Sequence, residues 1–161
     1  MSNELTILLL AYVVTLILLL LLVPRNRIRE ALVIFFSKQL LTWLLGLTIC
    51  QLKLIDYPVR SFPYATKSSF DFEYFIYPSI CVLFNLYYPA GKSLLHISLH
   101  YFFYCTLLTI LELIFEKYTE LITYINWTWY MTSITLVITF YLSNKFYFWF
   151  FRLDRKRVRI S

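Results

Sequence analysis

The run LTILLLAYVVTLILLLLLVP, Leu5 to Pro24, carries no charge over its whole length. As a helix it rises about 30 Å, the thickness of a bilayer's hydrocarbon core, and every backbone polar group inside that core has to be satisfied within the segment. A chain holding such a run folds around lipid. The rest of the sequence agrees, because 60% of it is hydrophobic, 20% is aromatic and its mean hydropathy is +0.68. Soluble domains are closer to half apolar.

Four further apolar segments follow, at about Ala31 to Leu52, Tyr74 to Tyr88, Leu94 to Phe115 and Ile125 to Phe146. The third is short and carries Pro78 early, so a re-entrant hairpin is an alternative to a full crossing. Charge decides between them. With five crossings, Arg25, Arg27, Arg29, Lys92, Arg152, Arg155, Lys156, Arg157 and Arg159 share one side, and only Lys53, Arg60, Lys67 and Lys117 lie on the other. The positive-inside rule then places the first set in the cytoplasm, with the N-terminus outside. Dropping the third crossing puts the two arginine clusters on opposite faces. The expected fold is therefore all-α, a polytopic membrane helix bundle of five transmembrane helices. It forms a single integral domain over 1–161, with an external loop at 53–73 and a basic cytoplasmic tail at 152–161.

Glu4 precedes the first segment, the basic cluster follows it, and no small-residue cleavage pattern ends it, so it reads as a retained anchor. Its leucine-rich surface is expected to face lipid. The net charge of +6 sits at membrane edges, above all in the tail after the aromatic run Phe146 to Phe151. Trp149, Arg152, Arg155, Lys156, Arg157 and Arg159 form an expected membrane-surface anchor on an anionic leaflet, a partner that suits them better than nucleic acid.

Cys50, Cys81 and Cys105 fall in three segments without ligand spacing and read as free thiols packed as small hydrophobes. Nucleotide, zinc-protease and nucleophile-elbow motifs are missing, and the chain has only two glycines. No cofactor, metal or enzymatic activity is expected. His96 and His100 have the i, i+4 spacing of a metal pair, yet lack a third ligand on the same helix and are read as interfacial or hydrogen-bonded.

Helical spacing carries more information. Ser98, Tyr101, Cys105, Thr109, Glu112 and Glu116 step by three or four, as do Tyr74, Tyr77, Cys81, Asn85 and Tyr88, and Thr128, Thr132, Thr135, Thr139 and Ser143. Each set keeps to one helix face. Packing through small and hydroxylated residues accounts for the threonine stripe. Glu112 stands roughly 5 Å inside the outer boundary, counting 1.5 Å per residue, so it is read mainly as the wet end of its helix. Lys38 is expected to snorkel to the cytoplasmic interface.

The connection at 53–73 is broken by Pro58 and Pro63, and Ser68 with Asp71 forms a capping-box start for the third segment. Its aromatics are expected to lie on the membrane or to fold over the bundle. The preferred binding place is an external polar cup, with Glu112, Tyr101, Asn85, Glu73 and Trp127 as candidate residues.

The stretches LTWLLGL at Leu41 to Leu47, YPVRSFPYATKSSFDFEYFIYPSICVLFNLYYP at Tyr57 to Pro89, EKYTELITYINWTWY at Glu116 to Tyr130 and YFWFF at Tyr147 to Phe151 resemble an uncharacterised multi-pass membrane protein family of Bacillus-type and clostridial spore formers. The resemblance implies a small integral protein of the bacterial cell membrane and brings no catalytic residues with it. The favoured role is a non-enzymatic scaffold or accessory subunit, with the lipid bilayer and a membrane-protein partner or homo-oligomer as contacts. The alternative is a small transporter, ligand receptor or lipid-handling protein that uses the cup around Glu112.

Overall fold

A computed structural model describes residues 3–152. Its helices are α1 (Asn3–Leu22), α2 (Ile28–Gln51), α3 (Tyr77–Leu86), α4 (Leu94–Tyr118) and α5 (Trp129–Phe150). A 3-10 turn at Arg25–Arg27 leads into α2, and a π-helical segment, Asp71–Ile76, leads into α3. Two short strands, β1 (Ile55–Asp56) and β2 (Thr123–Tyr124), pair antiparallel with Ile55 opposite Tyr124. The all-α expectation holds. Three helices, Asn3–Leu22, Arg25–Gln51 and Leu94–Tyr118, are long and apolar enough to cross a membrane, which marks the chain as a membrane protein.

α3 is the centre of the bundle. It is short because it needs no lipid-facing surface: Pro78, Ser79 and every residue from Cys81 to Leu86 are enclosed by the other helices, α2 above all. Pro78 has no N–H to offer the turn before it. The carbonyls this leaves free are met from α2, where Gln39 Nε2 donates to Tyr74 O at 2.8 Å and Thr42 Oγ1 donates to Glu73 O at 2.6 Å. A proline inside a membrane helix is tolerated when neighbouring side chains re-satisfy the backbone in this way. Replacing Gln39 with leucine orphans the Tyr74 carbonyl, and chemical unfolding in detergent is expected to show a loss of about 1–2 kcal/mol.

The expected capping box is made differently. Ser69, not Ser68, caps the segment by accepting from Phe72 N at 3.3 Å. Asp71 turns back to the loop, accepting from Ser61 Oγ at 2.5 Å and Ser61 N at 3.2 Å. The loop thus folds over the bundle instead of spreading on its surface. Val59 N donates to Glu120 O, and both Ile125 N and Asn126 N donate to Leu54 O. Those last two bonds hold 125–126 in the ribbon, so α5 starts at Trp129 instead of near Ile125.

At the ribbon end, Leu8, Ile55, Tyr57, Phe72, Ile76, Leu121 and Ile122 make one apolar cluster. Towards the other end a second gathers around Phe84 and Phe140, both fully buried. α1 packs on α3 and the π-helical segment, where Tyr12 stacks on Phe75 with centroids 4.9 Å apart. Most of its surface stays open, as its leucines imply.

The end opposite the ribbon is closed by Arg27. Its guanidinium donates to Leu86 O at 2.8 Å, to Tyr147 Oη at 2.9 Å and to Glu30 Oε2 at 2.7 Å, while Tyr147 donates to Glu30 as well. The clasp joins the starts and ends of α2, α3 and α5. Of the expected surface anchor, Trp149 is exposed and Arg152 ends α5 with a positive φ of 50°. Arg155, Lys156, Arg157 and Arg159 lie outside the described residues.

Candidate functional site

The stripes read from the sequence converge beneath the ribbon. α4 turns Cys105, Leu108, Thr109 and Glu112 inward, and α5 turns Thr132, Leu136, Thr139 and Ser143 to meet them. Glu112 is only 7% exposed, so it is not the wet end of its helix. The ribbon accounts for the difference, because it brings Tyr124 and Trp127 back over the helix end. Three hydroxyls then donate to one carboxylate: Tyr124 at 2.6 Å and Thr132 at 2.7 Å on Oε1, and Tyr77 at 2.8 Å on Oε2. Trp127 Nε1 donates to Thr132 Oγ1 at 2.8 Å and completes the network. Glu116 and Glu120 stay at the surface, as their position past the apolar run implies.

Glu73, delivered by the π-helical segment, is the second buried carboxylate at 6% exposure. Tyr57 donates to its Oε1 at 3.4 Å. Burial, and then the carboxylates of Glu73 and Glu112, push the Tyr57 phenol well above its ordinary range, which keeps it a donor at any working pH. Gly46 on α2 makes room for this arrangement. A Cβ there meets the Glu73 carboxyl at 2.5 Å and Ser68 Oγ at 2.6 Å, closer than any real side chain sits. Ser68 Oγ is buried with no nitrogen or oxygen partner among the described residues, and its neighbour is the Cys50 thiol.

Glu73, Glu112, Tyr57, Tyr77, Trp127 and the inner threonines surround a cavity of about 60 Å³. That volume exceeds what a single water needs several-fold. Thr135 and Thr139 line it too, so the threonine stripe supplies cavity wall and hydrogen bonds as well as packing.

Lys38 departs most from expectation. Its side chain points into the bundle, is 0% exposed, donates from Nζ to Thr139 Oγ1 at 2.6 Å and lies 4.6 Å from the Phe140 ring centre. Snorkelling needs a stem on the lipid face, and Lys38 is on the opposite one, in line with Ile34, Thr42 and Gly46. That spacing of four is visible in the sequence. It marks α2 as the fourth wall of the polar interior, with Lys38, Thr42 and Gly46 as site residues that the other three stripes do not include. Tyr57 and Tyr124 are hidden more deeply, since only the loop and ribbon bring them in, whereas Tyr77 belongs to the α3 stripe.

Of the five candidate residues, Glu112, Glu73 and Trp127 share the cavity. Asn85 and Tyr101 do not. Asn85 is almost a full α3 length further from the ribbon, donating to Ser143 Oγ at 3.2 Å and Cys81 O at 2.9 Å and accepting from Asn144 at 3.1 Å. Tyr101 packs edge-on against Phe84. A shared helix face is the basis for grouping them with Glu112, but a face extends over several turns and the cavity occupies only one end of it. The histidines act separately: His100 Nε2 meets Phe84 O at 2.9 Å, and His96 Nδ1 meets Ser93 Oγ at 2.8 Å. Cys81 hydrogen-bonds to Ser143 at 3.1 Å, and all three cysteines are free. Comparisons with protein-family models, with curated proteins and with solved structures give no match to this chain.

Proposed function

We propose that the chain is a membrane-embedded binding protein, of the small-transporter or receptor class, that takes a small monovalent cation into the Glu73–Glu112 cavity. All five helices cross the bilayer in this reading. The ribbon faces outward and the Arg27 clasp faces the cytoplasm of a bacterial cell, of the spore-former kind that the sequence resembles. The observation that carries it is a half-open cavity with two buried carboxylates in its lining. Ionisable groups inside a membrane protein are costly and mark ion or substrate sites. Two carboxylates in the lining of one cavity give a cation oxygen ligands on two sides. The hydroxyls of Thr42, Thr132, Thr135 and Thr139 in the same lining add oxygen donors of the kind hard cations prefer.

The test is calorimetric titration of the purified full chain in detergent with LiCl, NaCl and KCl, against choline chloride as the control. Wild type is expected to bind at least one of the three. Gly46→Ala pushes the Glu73 carboxylate aside and is expected to weaken that binding by roughly tenfold or more, because in a low-dielectric site each ångström added between opposite charges costs more energy than in water. Equal heats for all four salts overturn the proposal.

A second reading, the accessory subunit, draws on α4, which packs chiefly against α5 and leaves Leu99, Phe102 and Phe103 exposed. It expects a membrane partner, or a second copy, that co-purifies with wild type and is absent with Phe103→Ala.

A further inference from the structure

We infer that the groove between α1 and α2 holds one phospholipid with an anionic headgroup, its phosphate against Arg25 and one acyl chain between the helices. The site is separate from the cation cavity and does not depend on it. α1 and α2 follow each other in the chain, yet α1 packs on α3 and the π-helical segment and has no comparable packing on α2. The gap left between them has a volume of about 470 Å³, inside the range of roughly 300–1,000 Å³ usual for ligand sites. Leu16 and Leu20 of α1 form one wall, Ala31 and Phe35 of α2 form the other, and Val82 of α3 lies at the base. Arg25 is the one charged residue in this lining.

Both walls are tied to the same end of α3, so the groove cannot close. Tyr87, just past that helix, donates from its hydroxyl to Leu22 O at the end of α1 at 2.7 Å. Arg27, just before α2, donates to Leu86 O at 2.8 Å. The groove therefore stands open before a ligand arrives, and binding does not have to order it.

Its depth matches one leaflet. Arg25 and Phe35 are ten residues apart in one helical stretch, about 15 Å at 1.5 Å per residue. That is half of a hydrocarbon core of roughly 30 Å. With Arg25 at the boundary, Phe35 lies near the bilayer midplane, where an acyl chain of that leaflet ends.

Charge selects the headgroup. Arg27 is engaged by Glu30 and Tyr147, whereas Arg25 is exposed and makes no hydrogen bond or ion pair among the described residues. A guanidinium offers paired N–H donors that match two oxygens of a phosphate. Arg29, exposed one turn further on, adds a second positive charge, so a headgroup of net negative charge is favoured over a zwitterionic one. The chain's own basic end, 152–161, carries the wrong sign for this mouth.

The experiment is native mass spectrometry of the delipidated full chain in detergent, titrated with dioleoyl phosphatidylglycerol or dioleoyl phosphatidylcholine. Wild type is expected to take up one phosphatidylglycerol at a concentration roughly fivefold below that needed for phosphatidylcholine. Arg25→Gln should bring the two lipids level. Lys145→Gln removes an exposed charge near the same end of the bundle and should leave the preference unchanged. Ala31→Trp fills the groove and should remove the one-lipid step for both lipids. Arg25 is exposed and bonded to nothing in the bundle, so the glutamine variant decides the matter if the tryptophan variant does not fold. Equal uptake of the two lipids by wild type overturns the inference, as does an equal loss of preference in Arg25→Gln and Lys145→Gln, which marks diffuse charge attraction. Unchanged uptake by folded Ala31→Trp overturns the groove as the seat of the acyl chain. Displacement of the lipid by inorganic phosphate, against chloride of the same ionic strength, assigns Arg25 to a free anion, and a dimer formed in place of lipid uptake assigns the groove to a second copy; either result overturns the inference.

Discussion

Glu112→Leu is expected to be among the most destabilising substitutions in this chain, by about 2–5 kcal/mol. The leucine is close in size but accepts no hydrogen bond, so Tyr77, Tyr124 and Thr132 each lose the acceptor they share. Interhelical hydrogen bonds in membrane proteins contribute only about 0.6 kcal/mol each on average, which sets the lower end for three of them. The upper end applies when the buried donors find no substitute. The loss spreads beyond α4, because Tyr124 belongs to β2 and Thr132 also anchors Trp127. Unfolding in mixed micelles, followed by tryptophan fluorescence, should therefore show a lower midpoint together with an early change at Trp127. Glu112→Gln keeps an acceptor on the same carbon skeleton and should lose less than half as much. Equal losses for the two variants refute the network as the cause.

Phe84→Ala should have a comparable effect, about 3–5 kcal/mol, for a different reason. Phe84 is fully buried in the last turn of α3, with ring contacts to Phe140 at 4.5 Å, His100 at 4.8 Å, Tyr101 at 4.9 Å and Tyr104 at 5.4 Å. Apolar transfer adds little when the alternative to the core is lipid, so the expected loss comes from dispersion attraction and the cavity left behind. The surrounding rings belong to α4 and α5 and cannot all close on the gap. Thermal unfolding of the detergent-solubilised variant checks this, with Phe103→Ala on the exposed face of α4 as the control expected to change little.

How far each element is legible follows from the range of the interaction that makes it. Segments α1 and α4 are readable to within two or three residues at each end, because the need for an apolar surface of fixed length is local to the segment. The inward faces of α4 and α5 are readable as stripes, because a spacing of three or four is a property of one helix. The start of α5 is misplaced towards Ile125 because 125–126 bond to Leu54, a partner some seventy residues earlier in the chain. Spacing from Asp71 assigns the cap of the π-helical segment to Ser68, but Asp71 prefers Ser61. Two local patterns compete there, and a loop contact chooses.

The site divides in the same way. Glu112, Glu73 and Trp127 are recognisable because an ionisable or amphipathic group near a membrane boundary stands out in one dimension. Lys38 is recognisable too but easily misread, since a long stem can reach the interface or the core, and only the direction of its helix face separates the two. Asn85 and Tyr101 group with Glu112 because a stripe gives angle around a helix but no depth along the bundle.

By itself, then, the sequence determined that the chain enters a membrane, which segments are apolar enough to lie there, and which side chains share a helix face. These are consequences of transfer free energy and helix geometry, both fixed within some twenty residues of chain. Tertiary structure alone decided that Glu112 is covered, that Lys38 points at Thr139, and that a glycine on α2 leaves room for a carboxylate from the π-helical segment. Each of those depends on where a second element sits to within an ångström or two, and close packing between elements is set by all of them together.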